Sequence, residues 1–292
     1  SISGISAINR CRQTLEQDAI NNDVSFDLED RFCLDGQRLL LVPGTGDYGS
    51  ANSEYRTEVE SFARVIAYGQ QGNGPAYFKV WRKDGSVAEY GNTPDSGLRV
   101  NAHGQSSTLA AILTWAENRF ADNVGNAITY TYVTDHDQGE QVLSSASWSG
   151  GSLMFNYSDG RPDSEILYLM GAKISLSKRL ESIDSYGGTT PIRRYTLSYK
   201  STGTNATTER RARLDGVQEC RASSCLPATT FDWGNWTVPE YSWSAPKPTH
   251  VTLHDERVYQ GGQLGDVDGD GKPDLIWLSK SASSGSDYLQ VT

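Results

Sequence analysis

The chain has 292 residues, enough for one large β domain or two ordinary domains with a sizeable core. Lys and Arg number 26 against 36 Asp and Glu, a net charge of −10, so nucleic-acid binding, which needs clustered cations, is excluded and anionic lipid would repel the chain. The densest apolar patch is Leu39–Val42, too short for a membrane-spanning helix, and 15 Tyr and 29 Gly against 2 Met point to short strands and many turns.

Along the chain, strand signals dominate. Arg12–Ile20 is a weak helical candidate, and Arg38–Val42 a short apolar run stopped by Pro43 and Gly44. Tyr55–Tyr68 alternates polar and apolar, offering Val59, Phe62, Val65 and Ile66 to a core. Ala76–Trp81 and Ser86–Tyr90 flank Asp84-Gly85, a hairpin signal. Leu109–Phe120 reads as a strand or a short helix. Ile128–Val133 follows the turn residues Gly125-Asn126, and Ser152–Tyr157, Gly171–Ile183 and Ile192–Tyr199 are further strands. Such spacing predicts an all-β protein built on a large antiparallel sheet, as a sandwich, an open sheet or an open barrel. Beyond residue 232, Trp233, Trp236 and Trp243 crowd with Pro239, Pro246 and Pro248. We therefore expect a β domain over 1–234, a Pro/Trp-rich linker over 235–248 and a second unit over 249–292. The opening SISGISAINRC and the closing YLQVT give the expectation of a piece of a longer polypeptide.

Four cysteines allow three pairings. Their clustering favours Cys11–Cys33 and Cys220–Cys225 in a secreted protein, with four buried thiols as the alternative. The C-x-x-x-x-C spacing is not a zinc pattern.

The most specific motif is DVDGDGKPD. Asp266, Asp268 and Asp270 alternate, Gly271 permits a sharp turn and Asp274 closes the set. Hard divalent cations take many oxygens at short range, and these carboxylates with the Lys272 carbonyl would surround one Ca²⁺. An EF-hand would need a Glu at the twelfth position, where Trp277 stands. The alternative is a solvated acidic turn. The wider stretch GQLGDVDGDGKPDLIWL resembles the FG-GAP repeat of integrin-type β-propellers, which implies a calcium loop joining two strands of a blade. A single unit cannot close a propeller.

The segments SGISAINRC, DRFCLDGQRLLLV, YRTEVESFARVIAYG, GNGPAYFKVWRKDGSVAEYG, RFADNVGNAITYTY and CLPATTFDWG lie in this order between Ser3 and Gly234. Together they resemble the SpvB-like module of bacterial toxin-complex B subunits and related Rhs or YD-repeat toxins. The resemblance implies a secreted or cell-surface bacterial assembly that encloses a toxic polypeptide. It implies partners in the rest of the chain's own polypeptide and in toxin-complex subunits, and FG-GAP repeats following the module. RFADNVGNAITYTY resembles a single YD-type hairpin, with Asp122, Gly125 and Asn126 at its turn.

Catalytic patterns are absent from the sequence. Glu58-Val59-Glu60 lacks the Ser-Thr-Ser segment of ADP-ribosyltransferases and reads as the wet face of a strand. His103, His136, His250 and His254 form no metal motif, and neither a G-x-x-x-x-G-K phosphate loop nor a G-x-S-x-G occurs. The expected function is a non-enzymatic assembly module. The alternative is a propeller-type binding module in which Trp233, Trp236 and Trp243 recognise a carbohydrate or a host protein.

Overall fold

The computed structural model describes residues 5–101, 111–200 and 212–233, and the backbone of strands at 263–265, 274–280 and 287–291. The chain divides into two compact units, Ser1–Trp233 and Gly234–Thr292. In the first unit, β1 (Ala7–Cys11), β2 (Arg31–Leu34), β3 (Gln37–Leu41), β4 (Glu54–Thr57), β5 (Arg64–Tyr68), β6 (Tyr77–Trp81) and β7 (Val87–Tyr90) are short, and each pairs antiparallel with the next. β8 (Gly97–Val100) and the long β9 (Ala111–Ala121) follow. β9 closes the ring, pairing Ala116–Thr114 with Ala7–Asn9 of β1 and Glu117–Ala121 with β7. Eight strands, β1 to β7 with β9, thus form a closed barrel. Closure removes the free edges that an open sheet would leave. The sheet is therefore neither a sandwich nor simply open, although its antiparallel all-β character is the one expected.

β9 also carries neighbours outside the ring. β8 pairs with its first half, and β10 (Ala127–Asp135) with its second. Trp115, Ala116, Glu117 and Asn118 are buried in succession, because both faces of this strand are covered. That consecutive burial removes the period-two signal and explains why Leu109–Phe120 reads as either strand or helix. From β10 an antiparallel meander runs through β11 (Glu140–Trp148) and β12 (Gly151–Ser158). A separate hairpin, β13 (Glu165–Leu169) with β14 (Ala172–Leu176), interrupts the chain there. The meander resumes with β15 (Arg179–Gly187), β16 (Thr190–Lys200) and β17 (Arg213–Arg221), along which the short β18 (Ser224–Cys225) and β19 (Thr229–Thr230) both pair. The expected strand Gly171–Ile183 is thus two strands in different sheets. The helical candidate near Arg12–Ile20 is one turn, α1 (Leu15–Asp18), whose Asp18 holds Arg31 of β2 and Arg38 of β3.

Short strands with alternating burial build the barrel, as in iBiB for β4 and iBiBi for β6. Asp35-Gly36, with φ of 50° and 83°, makes a two-residue turn between β2 and β3. The interior is filled. Phe32, Tyr55, Phe78 and Trp115 meet mostly edge to face, with centroids 5.1–6.4 Å apart. Burial of each such ring contributes about 1.5–3 kcal/mol. An eight-stranded barrel is just wide enough for side chains to fill, so this one is a packed core and not a channel.

In the second unit, β20 (Gln263–Gly265), β21 (Asp274–Lys280) and β22 (Asp287–Val291) form a three-stranded antiparallel sheet. Among the described residues no helix is long and apolar enough to cross a membrane.

Candidate functional site: a charged barrel core and two concavities

Most of the predicted calcium loop, Asp266, Asp268, Asp270 and Lys272, lies outside the described residues. Asp274 opens β21 and pairs with Gly265 of β20, so residues 266–273 connect two antiparallel strands. Among the described residues no cluster of acidic, His or Cys side chains suits a metal ion.

Cys11 and Cys33 are disulfide-bonded across β1 and β2, with Cα atoms 6.0 Å apart. Cys220 and Cys225 are bonded as well, tying β18 to the end of β17. Glu58 and Glu60 stand on the loop between β4 and β5, not on a strand, because Tyr55–Tyr68 is a hairpin. Val59 and Phe62, which alternation assigns to a core, are 69% and 65% exposed on that loop. His136 accepts the Arg99 backbone N–H at 3.2 Å. The Trp233 indole N–H donates to the Leu214 carbonyl at 2.6 Å; Trp236 and Trp243, like His103, His250 and His254, lie outside the described residues.

Two charged groups that sequence reasoning passed over are buried in the barrel unit. Arg10, on β1, has a fully buried side chain and meets Asp30 at 2.8 Å, whose side chain is 2% exposed. Its guanidinium also donates to the carbonyls of Ile112 (2.7 Å), Asn73 (2.8 Å) and Asp27 (3.1 Å). The rings of Phe26, Phe32 and Trp115 lie 5.8–6.0 Å away. Burial lowers the Arg10 pKa from its ordinary value and Asp30 raises it again; a guanidinium so paired stays charged. Asp30 in turn accepts the backbone N–H groups of Ser25 (2.7 Å) and Phe26 (2.8 Å). One ion pair therefore ties β1 to β9 and to two loops. The only sequence signal is a charge at an inward position of an alternating strand, as Arg10 follows Ile8.

Glu117 lies where β9 passes from the barrel into the meander and is 6% exposed. Burial pushes its carboxyl up to about 7; Arg82 opposes this and Asp35 adds to it. Around it, the Ser6 hydroxyl meets Asp35 at 2.6 Å and the Tyr90 hydroxyl at 2.8 Å, and Arg82 donates to the Tyr90 hydroxyl at 3.0 Å. The Tyr132 hydroxyl donates to the Glu117 carbonyl at 2.5 Å. Burial beside this carboxylate pushes Tyr90 up to about 12 and raises Tyr132 further.

Two concavities complete the picture. A trough of about 530 Å³ lies among the meander, the β13–β14 hairpin and barrel-side residues such as Ala7, Leu98 and Thr114, with Tyr132, Tyr157 and Tyr199 in its wall. Its Glu140 is fully used in holding the backbone at Ser177 and Lys178. A hollow of about 580 Å³ lies by the turns that follow β2 and β6.

This architecture has relatives. Residues 44–151 match the SpvB family, described as Salmonella virulence plasmid 65kDa B protein. The matched stretch runs from ahead of β4 to the start of β12, so it holds the second half of the barrel and the first meander strands. No curated protein matches the chain. In solved structures the fold recurs in a TcdB2-TccC3-TEV crystal structure, at 15% identity and a TM-score of 0.64 over 99% of this chain and 17% of that one. It recurs in a Photorhabdus luminescens Tc holotoxin pore, at 14% identity and a TM-score of 0.60, again over 99% of this chain and 17% of that one. The N-terminal domain of the effector protein SpvB from Salmonella typhimurium strain LT2 gives 16% identity and a TM-score of 0.54, over 78% of this chain and 87% of that one. At these identities the likeness is one of fold. The chain spans about a sixth of the length of the toxin-complex chains it matches.

Proposed function

We propose that the chain is a non-enzymatic structural and assembly module of a secreted bacterial toxin-complex B-like or Rhs-type shell protein. The observation that carries this reading is the fold shared with the TcdB2-TccC3 chain along 99% of the present one. A filled barrel held by a buried ion pair and a disulfide is suited to bearing load and presenting surfaces. Residues 1–234 would supply a wall element, 235–248 a linker, and 249–292 an FG-GAP-type repeat that begins a propeller blade. In that repeat Asp266, Asp268, Asp270, Asp274 and the Lys272 carbonyl would hold Ca²⁺. Partners would be the rest of the parent polypeptide and toxin-complex subunits, outside the bacterial cell.

The competing reading, a binding module using exposed tryptophans, draws no support from Trp233, whose indole N–H is engaged within its own unit. The reading is tested by weakening the barrel in the parent polypeptide, with Trp115→Ala, and measuring protease protection of the enclosed polypeptide. Protection should fall with barrel stability. Undiminished protection in a parent whose barrel has unfolded would refute the assembly role. Turnover of NAD⁺ or a glycoside by the purified chain, abolished by one carboxylate substitution, would refute the non-enzymatic part.

A further inference from the structure

The two disulfides of the first unit stand in opposite settings. Cys33 lies on β2, which pairs on one side with β1 and on the other with β3, inside the closed barrel. Cys11 and Cys33 are both half-buried. With that bond open, the barrel would still hold the two thiols side by side, which favours its re-formation. Cys220 and Cys225 instead close the tip of a hairpin. They face each other across β17 and β18, and the tip carries only one further strand pair, Arg221 with Ser224. Cys225 is exposed and Cys220 is half-buried. Just beyond, the Leu226 N–H donates to the Glu219 carbonyl at 2.9 Å, and Pro227 then has no N–H to give to the ladder.

The turn is a second, independent observation. Ala222-Ser223 connects β17 to β18, and Ala222 has φ of 51°, a left-handed conformation that favours glycine. Two-residue hairpin turns with a positive φ at the first position normally carry Gly, Asn or Asp there. The β2–β3 turn obeys this with Asp35-Gly36; the β17–β18 turn does not. Local sequence therefore disfavours the closed tip, and the S–S bond holds it shut. The base of the hairpin is secured separately. Thr229 and Thr230 of β19 pair with Val217 and Gly216, and the Phe231 N–H donates to the Asp215 carbonyl at 2.8 Å.

We infer that Cys220–Cys225 is an exchange site for a small thiol of the glutathione class, whereas Cys11–Cys33 is a structural bond. The inference needs the disulfide alone and does not rest on the assembly role. A thiolate attacks the exposed Cys225 Sγ. The new S–S bond forms as the Cys220–Cys225 bond breaks, and the electron pair leaves on Cys220 Sγ, which takes a proton from water. A second thiolate then attacks the small thiol's sulfur in this mixed disulfide and releases Cys225 as a thiolate. In sum the cystine gains two electrons and two small thiols become one small disulfide. Exposed disulfides of this kind are the readily reduced ones. Opening releases residues 222–226 from β17, while β19 keeps the base in place.

The test equilibrates the oxidised 292-residue chain in glutathione buffers of graded thiol-to-disulfide ratio, traps thiols by alkylation and maps the peptides. Cys220–Cys225 should open at a ratio at least about tenfold less reducing than Cys11–Cys33. A rapid acid quench should find glutathione on Cys225. In hydrogen exchange, reduction of the tip should expose the Leu226 amide and leave the Phe231 amide protected. Ala222→Gly, which removes the strain of the closed turn, should require a ratio about threefold more reducing. Opening of both bonds at one ratio, or a Leu226 amide that stays protected after reduction, would overturn the exchange site. Glutathione on Cys220 would overturn the choice of attacked sulfur, and an unshifted Ala222→Gly would overturn the role of the turn. Free thiols at 220 and 225 in the oxidised protein would overturn the whole inference.

Discussion

Asp30→Ala isolates the buried charge at the centre of this fold. The Arg10 side chain is fully buried, and among the described residues Asp30 is its only acidic side-chain partner. Removing one member of such a pair strands the other charge and typically destabilises by about 3–5 kcal/mol. The Ser25 and Phe26 N–H groups lose their acceptor in the same step. For a unit of this size each kcal/mol moves the melting temperature by about 2–4 °C, so a fall of about 6–20 °C is expected. Urea unfolding followed by Trp fluorescence and by calorimetry supplies both quantities. Arg10→Met should be milder, since Asp30 keeps its two backbone donors, and the double variant should lose less than the sum of the singles. Because the pair is buried, the loss should persist in about 1 M salt. A variant Asp30→Ala within about 1 kcal/mol of wild type would refute the claim that this pair organises the barrel, as would a loss that disappears in high salt.

Glu117→Gln tests the junction carboxyl. The folded state raises its pKa from 4.5 to about 7, so the folded protein binds a proton that the unfolded chain does not in that window. Glu117 therefore lowers stability above pH 7 by about 3 kcal/mol, and this penalty is relieved as pH falls towards 4.5; stability curves of wild type and Glu117→Gln that run parallel from pH 8 to 5 would show the reasoning to be wrong. Calcium should raise the melting temperature of the second unit, by about 2.7 kcal/mol in free energy at a hundredfold excess over the dissociation constant, and Asp268→Ala should abolish the effect. A chelator without effect on the wild type would leave residues 266–274 an acidic turn. Peptide mapping of unreduced secreted protein should recover Cys11–Cys33 and Cys220–Cys225, with separations of 22 and 5 residues. Chain entropy assigns their loops about 3 and about 2 kcal/mol. Four alkylatable thiols in that material would contradict it.

The sequence carries the strands well and their long-range partners poorly. Alternation and the Asp84-Gly85 turn reveal β6 and β7, because a hairpin is a local object. Closure of the barrel depends on β1 meeting β9 more than a hundred residues later, and no local pattern encodes that pairing. Tyr55–Tyr68 shows how alternation misleads. Apolar residues recur among polar ones through a loop, so Val59 and Phe62 read as core although they face solvent. Arg10, Asp30 and Glu117 were illegible for the opposite reason: charged residues read as solvated, and only the assembled barrel supplies the partners that let them be buried.

The most direct test of the proposed assembly role is protease protection of the polypeptide that the proposed shell would enclose, in a complex of the parent protein with the proposed toxin-complex partner. Intact barrel and intact complex should protect it, and Trp115→Ala, which empties the centre of the aromatic cluster, should expose it in step with the loss of barrel stability. Full protection by a parent with an unfolded barrel would contradict the account.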